Sequence, residues 1–274
     1  MLGKLMKYEM KSTSRIILPI YLILFTLSVI GRFSIGNLVK NPMQENSIYG
    51  VFFGLLITAY VFLVFSAFIV TLVVIIQRFY KNMTGSEGYL MHTLPVNTHL
   101  LLSSKLFSAF IWMISTTVMV FLSLGMLLIQ PETWSELLSI FSEFNRIMQE
   151  IFAITGVSAL LTMALFVLMI IVSSFTSILL IYAAISIGHT FKKHRILGSV
   201  LSYIGLTMVA QAVVGILFSI IGTTMPSFFE LDTIAQGISF GNTMITIVVL
   251  LDACLGAVWY FVSYYILTNQ LNLE

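Results

Sequence analysis

Asp252 is the ionisable residue that stands deepest inside an apolar stretch of this chain. If that stretch crosses a membrane, a carboxyl is energetically expensive there, which makes it a candidate for a functional site. The structural alternative is that the carboxyl is protonated, or that it bonds to a Ser, Thr or Tyr hydroxyl on a neighbouring helix. No basic partner at matching depth is visible. The small residues Ala253, Gly256 and Ala257 predict close packing against another helix.

Other patterns that carry chemistry are missing from the sequence. It has no G-x-x-x-x-G-K-S/T loop for a nucleotide, no H-E-x-x-H zinc motif and no G-x-S-x-G nucleophile motif. None of the four histidines stands at ligand spacing from a carboxylate. We therefore predict no catalytic residue, no metal and no cofactor in this chain.

Composition identifies the class of protein. The chain has 274 residues, of which 59% are hydrophobic and 9% are charged, whereas a soluble domain carries about 25% charged residues. This predicts an all-α polytopic membrane protein with a single transmembrane domain over 1–274. Stretches long enough to cross a bilayer occur at about 16–35, 51–76, 106–129, 155–187, 197–221 and 243–268, and we read them as six transmembrane helices.

The basic residues predict the orientation in the membrane. With six spans, ten of the thirteen Lys and Arg residues fall on the side of the two termini. Cytoplasmic loops carry an excess of Lys and Arg, so both termini are predicted to be cytoplasmic. The uncharged run 151–191 is long for one span and short for two. One long helix is favoured because it keeps the basic cluster 192–195 on the cytoplasmic side.

Short amphipathic helices are predicted next to the spans. Residues 1–15 place apolar side chains at helical spacing among lysines, which favours a helix lying on the membrane surface. The alternative is a frayed, basic terminus that only sets the topology. The polar loop 78–105 contains a helix-compatible segment, Glu87–Leu94, that Pro95 ends. Asn97 is placed to cap the next helix. The segment Glu87–Leu94 suits either docking onto another protein or lying on lipid headgroups.

These motifs resemble those of ABC-2-type permeases, the transmembrane subunits of bacterial ABC transporters. The resemblance is carried by S-E-G-Y-L-M-H-T-L-P-V at Ser86–Val96, L-L-x-S-K-L at Leu101–Leu106 and L-x-K-Y-E-M-K at Leu5–Lys11. It implies a multi-pass protein of the bacterial cytoplasmic membrane that exports a substrate. It also implies that loop 85–98 holds a coupling helix docked onto a separate ATPase subunit. The coupling residues would be Glu87, Gly88, Tyr89, Leu90, Met91, Leu94 and Pro95.

The partners implied are an ABC ATPase subunit, a second permease chain that is identical or paralogous, the lipid bilayer and a transported substrate of unknown class. Nucleic acid is not expected. The alternative function is an ion-coupled secondary transporter or channel that uses Asp252, and it predicts transport that follows an ion gradient without ATP. An intramembrane enzyme is least supported, because no set of polar residues converges at depth.

Overall fold

The computed structural model describes residues 2–40, 48–85, 88, 96–128, 134–191, 194–224 and 234–269, and every regular element among them is helical. The helices are α1 Leu2–Lys40, α2 Ile48–Phe79, α3 Thr98–Leu128, α4 Trp134–Thr155, α5 Val157–Gly188, α6 Arg195–Thr224 and α7 Ile234–Asn269. A π-helical turn, Tyr80–Thr84, follows α2 directly. The all-α prediction is confirmed for this part of the chain.

Six of these helices are long and apolar enough to cross a membrane. They contain apolar segments of 29 to 35 residues, while a bilayer needs about 20 residues in one helix. The remaining helix, α4, carries Glu136, Glu143, Arg146 and Glu150 and is not among the six. The chain is therefore a multi-pass membrane protein by the length and composition of its helices.

The N-terminal segment continues into the first span. Residues 1–15 were expected to form a surface helix before the first span, and in the structure α1 runs without interruption from Leu2 to Lys40. Pro19 lies inside this helix and does not end it. The basic residues of the N-terminus thus belong to the same helix as the first span, because nothing between Lys11 and Arg15 breaks the backbone hydrogen bonding.

Several predicted span boundaries also shift. α3 begins at Thr98 rather than near 106, so Lys105 lies in a helix and not in a loop. The carbonyl of Asn97 accepts from the N–H groups of Leu100 and Leu101, which places Asn97 at the predicted N-terminal boundary. α7 begins at Ile234 rather than near 243. The run 151–191 holds one membrane-crossing helix, α5, as predicted.

The described chain divides into two compact units within the predicted domain 1–274. The first comprises residues 1–77 and 107–144. Its core packs Ile17, Tyr21, Val74 and Trp112 together. The hydroxyls of Tyr21 and Thr116 lie 2.7 Å apart. Hydroxyl pairs of this kind join helices in membranes, where no hydrophobic driving force between helices exists.

The second unit comprises residues 78–106 and 145–274. Here α5 packs against α7 and, less extensively, against α6. The contacts of α5 with α7 pair Thr162 with Asn242 and Thr176 with Asp252. Because the residue numbers of the partners rise together, α5 and α7 run in the same direction. The second unit also contains the whole of loop 78–105.

Candidate functional site

The predicted coupling residues lie mostly outside the described residues. Gly88 is the exception: it is helical and buried, and its N–H donates to the carbonyl of Gly85 over 2.9 Å. The other residues of that prediction, which lie outside the described part, are Glu87, Tyr89, Leu90, Met91, Leu94 and Pro95. The structure does describe the two places where the chain enters and leaves this segment.

The chain enters the segment through a buried turn. Phe79, the last residue of α2, stacks on Tyr182 of α5 with ring centroids 3.8 Å apart and planes 8° from parallel. Both rings are at most 1% exposed. Met83 and Thr84 in the π-helical turn are also buried, and the Thr84 hydroxyl donates to the carbonyl of Tyr80. The turn is therefore held by packing against α5.

The chain leaves the segment along the first turns of α3, which are packed against α5 and α7. His99 stacks on Tyr264 of α7 with ring centroids 3.7 Å apart. Its Nδ1 lies 2.9 Å from the hydroxyl oxygen of Tyr260, one turn earlier on α7. The hydroxyl of Tyr182 donates to the carbonyl of Lys105 over 3.2 Å. Tyr182 thus contacts residues on both sides of the loop.

We refer to this set of contacts as the loop anchor. Its members are Phe79, Tyr80, His99 and Lys105 on the loop side, with Tyr182, His189, Tyr260 and Tyr264 on α5, α7 and the residue after α5. The anchor joins the end of α2 and the start of α3 to the later part of α5 and α7. Both ends of segment 85–98 are consequently attached to these two helices.

His189, the residue that follows α5, has an unusual environment within the anchor. Its ring lies 5.4 Å from that of Tyr80, and its buried Nε2 has no hydrogen-bond partner among the described residues. Burial lowers the pKa of this imidazole below its ordinary value, and the positive charge of Arg195 lowers it further. The neutral form is favoured because a charged ring here would lose water without gaining a counter-ion.

The turn from α5 into α6 is a close backbone approach. A Cβ on Gly188 would lie 2.3 Å from the backbone nitrogen of Ser199. A Cβ on Gly198 would lie 2.7 Å from the ring of Phe191. Side chains at either position would collide with atoms that cannot all move away. Glycine is therefore needed for α6 to pack beside the end of α5.

Asp252 lies near the middle of α7 and is half-buried. The hydroxyl of Ser173 on α5 donates to its carboxylate oxygen Oδ2. The hydroxyl of Thr176, one turn further along α5, donates to its backbone carbonyl over 2.8 Å. A bond to a hydroxyl of a neighbouring helix is what the structural interpretation of Asp252 predicted. The carboxylate belongs to the contact between α5 and α7.

The small residues beside Asp252 meet their prediction in part. Gly256 is buried, and a Cβ there would lie 2.8 Å from the hydroxyl oxygen of Thr176. Ala253 and Ala257 are exposed in the structure and do not contribute to this packing. Gly256 is one turn from Asp252 and therefore lies on the same face of α7, whereas Ala253 and Ala257 lie on other faces.

The described part of the chain contains no candidate metal site. No group of three or more His, Cys, Asp or Glu side chains there could hold an ion. His99 is engaged by two tyrosine rings. The second unit instead holds an anchored loop and, between two parallel helices, a carboxyl group that accepts from the hydroxyl of Ser173.

The sequence contains little that would have identified the anchor. Phe79, Tyr182 and Tyr264 stand in apolar runs where aromatic residues are common. Their pairings join residues far apart in the chain, and no local period marks them.

Comparison with family models, with characterised proteins and with solved structures finds no match for this chain.

Proposed function

We propose that this protein is the permease subunit of an ABC-2-type transporter and that loop 85–98 couples it to a separate ATPase. The observation that carries the proposal is the loop anchor, which attaches both ends of the loop to α5 and α7. Energetic coupling between distant sites passes through packed side chains and rigid elements. A displacement of the loop by an ATPase would therefore reach membrane-crossing helices directly.

The predicted topology supports the same proposal. It assigns the end of α2, the start of α3, and the ends of α5 and α7 to the cytoplasmic side, and the loop anchor brings these four parts together. A cysteine that replaces Lys193 in a Cys254→Ser background can be labelled to show on which side of the membrane this position lies. Labelling of that position by an impermeant reagent in intact cells would refute the topology.

Co-purification tests the coupling. The tagged full-length protein, extracted in mild detergent, should retain an ATPase. Tyr89 is the loop residue whose side chain we propose enters a pocket on the ATPase. It lies outside the described residues. Loss of such an anchor typically costs about 2 kcal/mol or more, a weakening of about thirtyfold. Tyr89→Ala should therefore lose most of the retained ATPase and its substrate-stimulated activity.

Lys81→Ala is the matched control, because Lys81 is an exposed charge in the turn before the loop. Exposed charges contribute about 0–1 kcal/mol, so this variant should retain the ATPase nearly as well as the wild type. Equal retention by wild type, Tyr89→Ala and Lys81→Ala at equal expression would remove the coupling assignment. A wild-type protein that never retains an ATPase would overturn the proposed function itself.

A further inference from the structure

α4 is amphipathic along its whole length. At 3.6 residues per turn, its glutamates fall on one face, spaced seven residues apart at Glu136, Glu143 and Glu150. Arg146 is on the same face and pairs with Glu150 over 3.2 Å. The opposite face is apolar. Its described members include Trp134, Leu138, Phe141, Phe144, Met148 and Phe152.

The apolar face of α4 is not covered by the described part of the chain. Phe141 is 65% exposed and Phe144 is 57% exposed, although both belong to an aromatic face that water would solvate poorly. Leu138 and Trp134 on the same face are also about half exposed. A row of exposed apolar side chains along one face of a helix marks a contact with a partner or with a membrane.

The connections of α4 place it beside the bilayer. α3 ends at Leu128 and α5 begins at Val157. Residues 129–133 lead into α4, and a chain of that length reaches at most about 18 Å. Gly156 alone separates α4 from α5, and its φ of 54° is a conformation that other residues rarely adopt. Both ends of α4 are therefore held close to the surface from which the two spans emerge.

We infer that α4 lies in the boundary between headgroups and acyl chains, with its apolar face in lipid and its acidic face in water. The connections of α4 hold it beside the bilayer, which is the nearest apolar phase for its exposed face. Trp134 at the start of the helix suits this position, because tryptophan is enriched at membrane interfaces. A helix of 22 residues extends about 33 Å along that boundary.

The charges of α4 define how it binds. Helices that bind anionic membranes usually carry Lys and Arg on the polar face, whereas this one carries three glutamates and one arginine. Anionic headgroups would repel that face. Burial of the apolar side chains therefore drives the contact, and neutral lipid suffices. This inference rests on the membrane-crossing helices and not on the proposed transporter function, so either can fail without the other.

Spin labels on the full-length protein test the inference. In a Cys254→Ser background, single cysteines at Phe141 and Phe144 probe the apolar face, and cysteines at Ser139 and Ser142 are the matched controls on the polar face. The protein is reconstituted in phosphatidylcholine vesicles. Labels at 141 and 144 should collide with oxygen and be shielded from a water-soluble nickel complex, at a depth of about 5–10 Å. Labels at 139 and 142 should show the reverse.

Three outcomes would overturn the inference. Nickel access at all four positions would mean that α4 is in water. Immobile labels at 141 and 144 that meet neither reagent would mean that protein, such as a second copy of the chain, covers the face. A depth pattern that appears only after half of the lipid is replaced by phosphatidylglycerol would mean that charge and not apolar burial drives binding. An unchanged pattern in both lipids supports the inference.

Discussion

Replacing Phe79 and Tyr182, singly and together, tests whether their ring stack holds the loop anchor. Tyr182→Phe removes only the hydroxyl that donates to the Lys105 carbonyl, and such bonds in membranes average about 0.6 kcal/mol. Tyr182→Leu removes the stack as well. Aromatic pairs contribute about 0.5–1.5 kcal/mol beyond their buried area. We therefore expect Tyr182→Leu to lower the free energy of unfolding by about 1–2 kcal/mol.

The double mutant isolates the stack. If the two rings stabilise the protein through each other, Phe79→Leu and Tyr182→Leu together should cost less than the sum of the single changes, by about 0.5–1.5 kcal/mol. Phe166→Leu supplies the control. Phe166 is an exposed residue of α5, about 24 Å along the helix from Tyr182. Its effect should add to that of Tyr182→Leu within about 0.3–0.5 kcal/mol.

Reversible unfolding of the full-length protein in mixed micelles, titrated with dodecyl sulfate and followed by tryptophan fluorescence, gives the free energies. The reasoning is refuted if the Phe79 and Tyr182 changes add as closely as the control pair. In that case the stack contributes nothing of its own, and the anchor cannot transmit force through it. A coupling energy in the expected range, without loss of membrane insertion, supports the anchor.

Three further predictions concern the second unit. Gly188→Ala should lower the free energy of unfolding by about 1–3 kcal/mol, because its Cβ would collide with the backbone of α6. Gly205→Ala is the control: Gly205 has open space around it, so the change should be less than about 1 kcal/mol. Dodecyl sulfate unfolding of both variants measures these free energies. Asp252→Asn should assemble normally and, under the proposed function, transport normally, whereas Asp252→Leu loses the bond from α5 at a cost of about 0.6 kcal/mol. Loss of transport in the Asn variant at normal expression would show that charge or proton exchange matters. The pKa of His189 is lowered in the folded state, so the unfolded chain binds the proton more readily. The contribution of neutral His189 to the free energy of unfolding should therefore be complete above about pH 6.5 and decrease as the pH falls below it. His189→Gln should remove that dependence, and unfolding of both proteins on the two sides of this pH measures it.

The number and type of the membrane-crossing helices could be predicted because that signal is local. Length and apolar composition decide whether a segment crosses a bilayer, and each property belongs to one stretch of chain. The same local signal, with the basic cluster 192–195, led to the single helix α5. Boundaries were less accurate: α3 and α7 begin about eight or nine residues before the predicted spans, because helices continue beyond the apolar part that defines a span.

α4 was missed although its signal is in the sequence. No helix was predicted between the spans 106–129 and 155–187, because composition alone does not separate an amphipathic helix from a loop. The spacing does: the glutamates at 136, 143 and 150 recur every seven residues, with aromatic and aliphatic residues between them. The extent of α1 could not be predicted for a related reason, since amphipathic spacing in residues 1–15 shows that a segment is helical but not where the helix ends.

The residues that contact Asp252 and those that form the loop anchor could not be predicted, because these contacts depend on how one helix is placed along another. Ser173 meets Asp252 only in one register of α5 against α7, and a shift of one turn would bring a different residue to the carboxylate. Serine and threonine are scattered through the spans, so many registers offer a hydroxyl. The sequence therefore predicts that a partner exists without identifying it.

The two features of the second unit act on the same pair of helices. The loop anchor contacts α5 through Tyr182 and α7 through Tyr264. Nearer the middle of the pair, Asp252 accepts from Ser173, and further along Thr162 donates to Asn242 over 2.6 Å. These polar contacts oppose sliding of α5 against α7, because lipid supplies no substitute hydrogen bond until another hydroxyl comes into register. Under the proposed function, a displacement of loop 85–98 would therefore move α5 and α7 together, and the carboxylate would stabilise that pair rather than carry an ion.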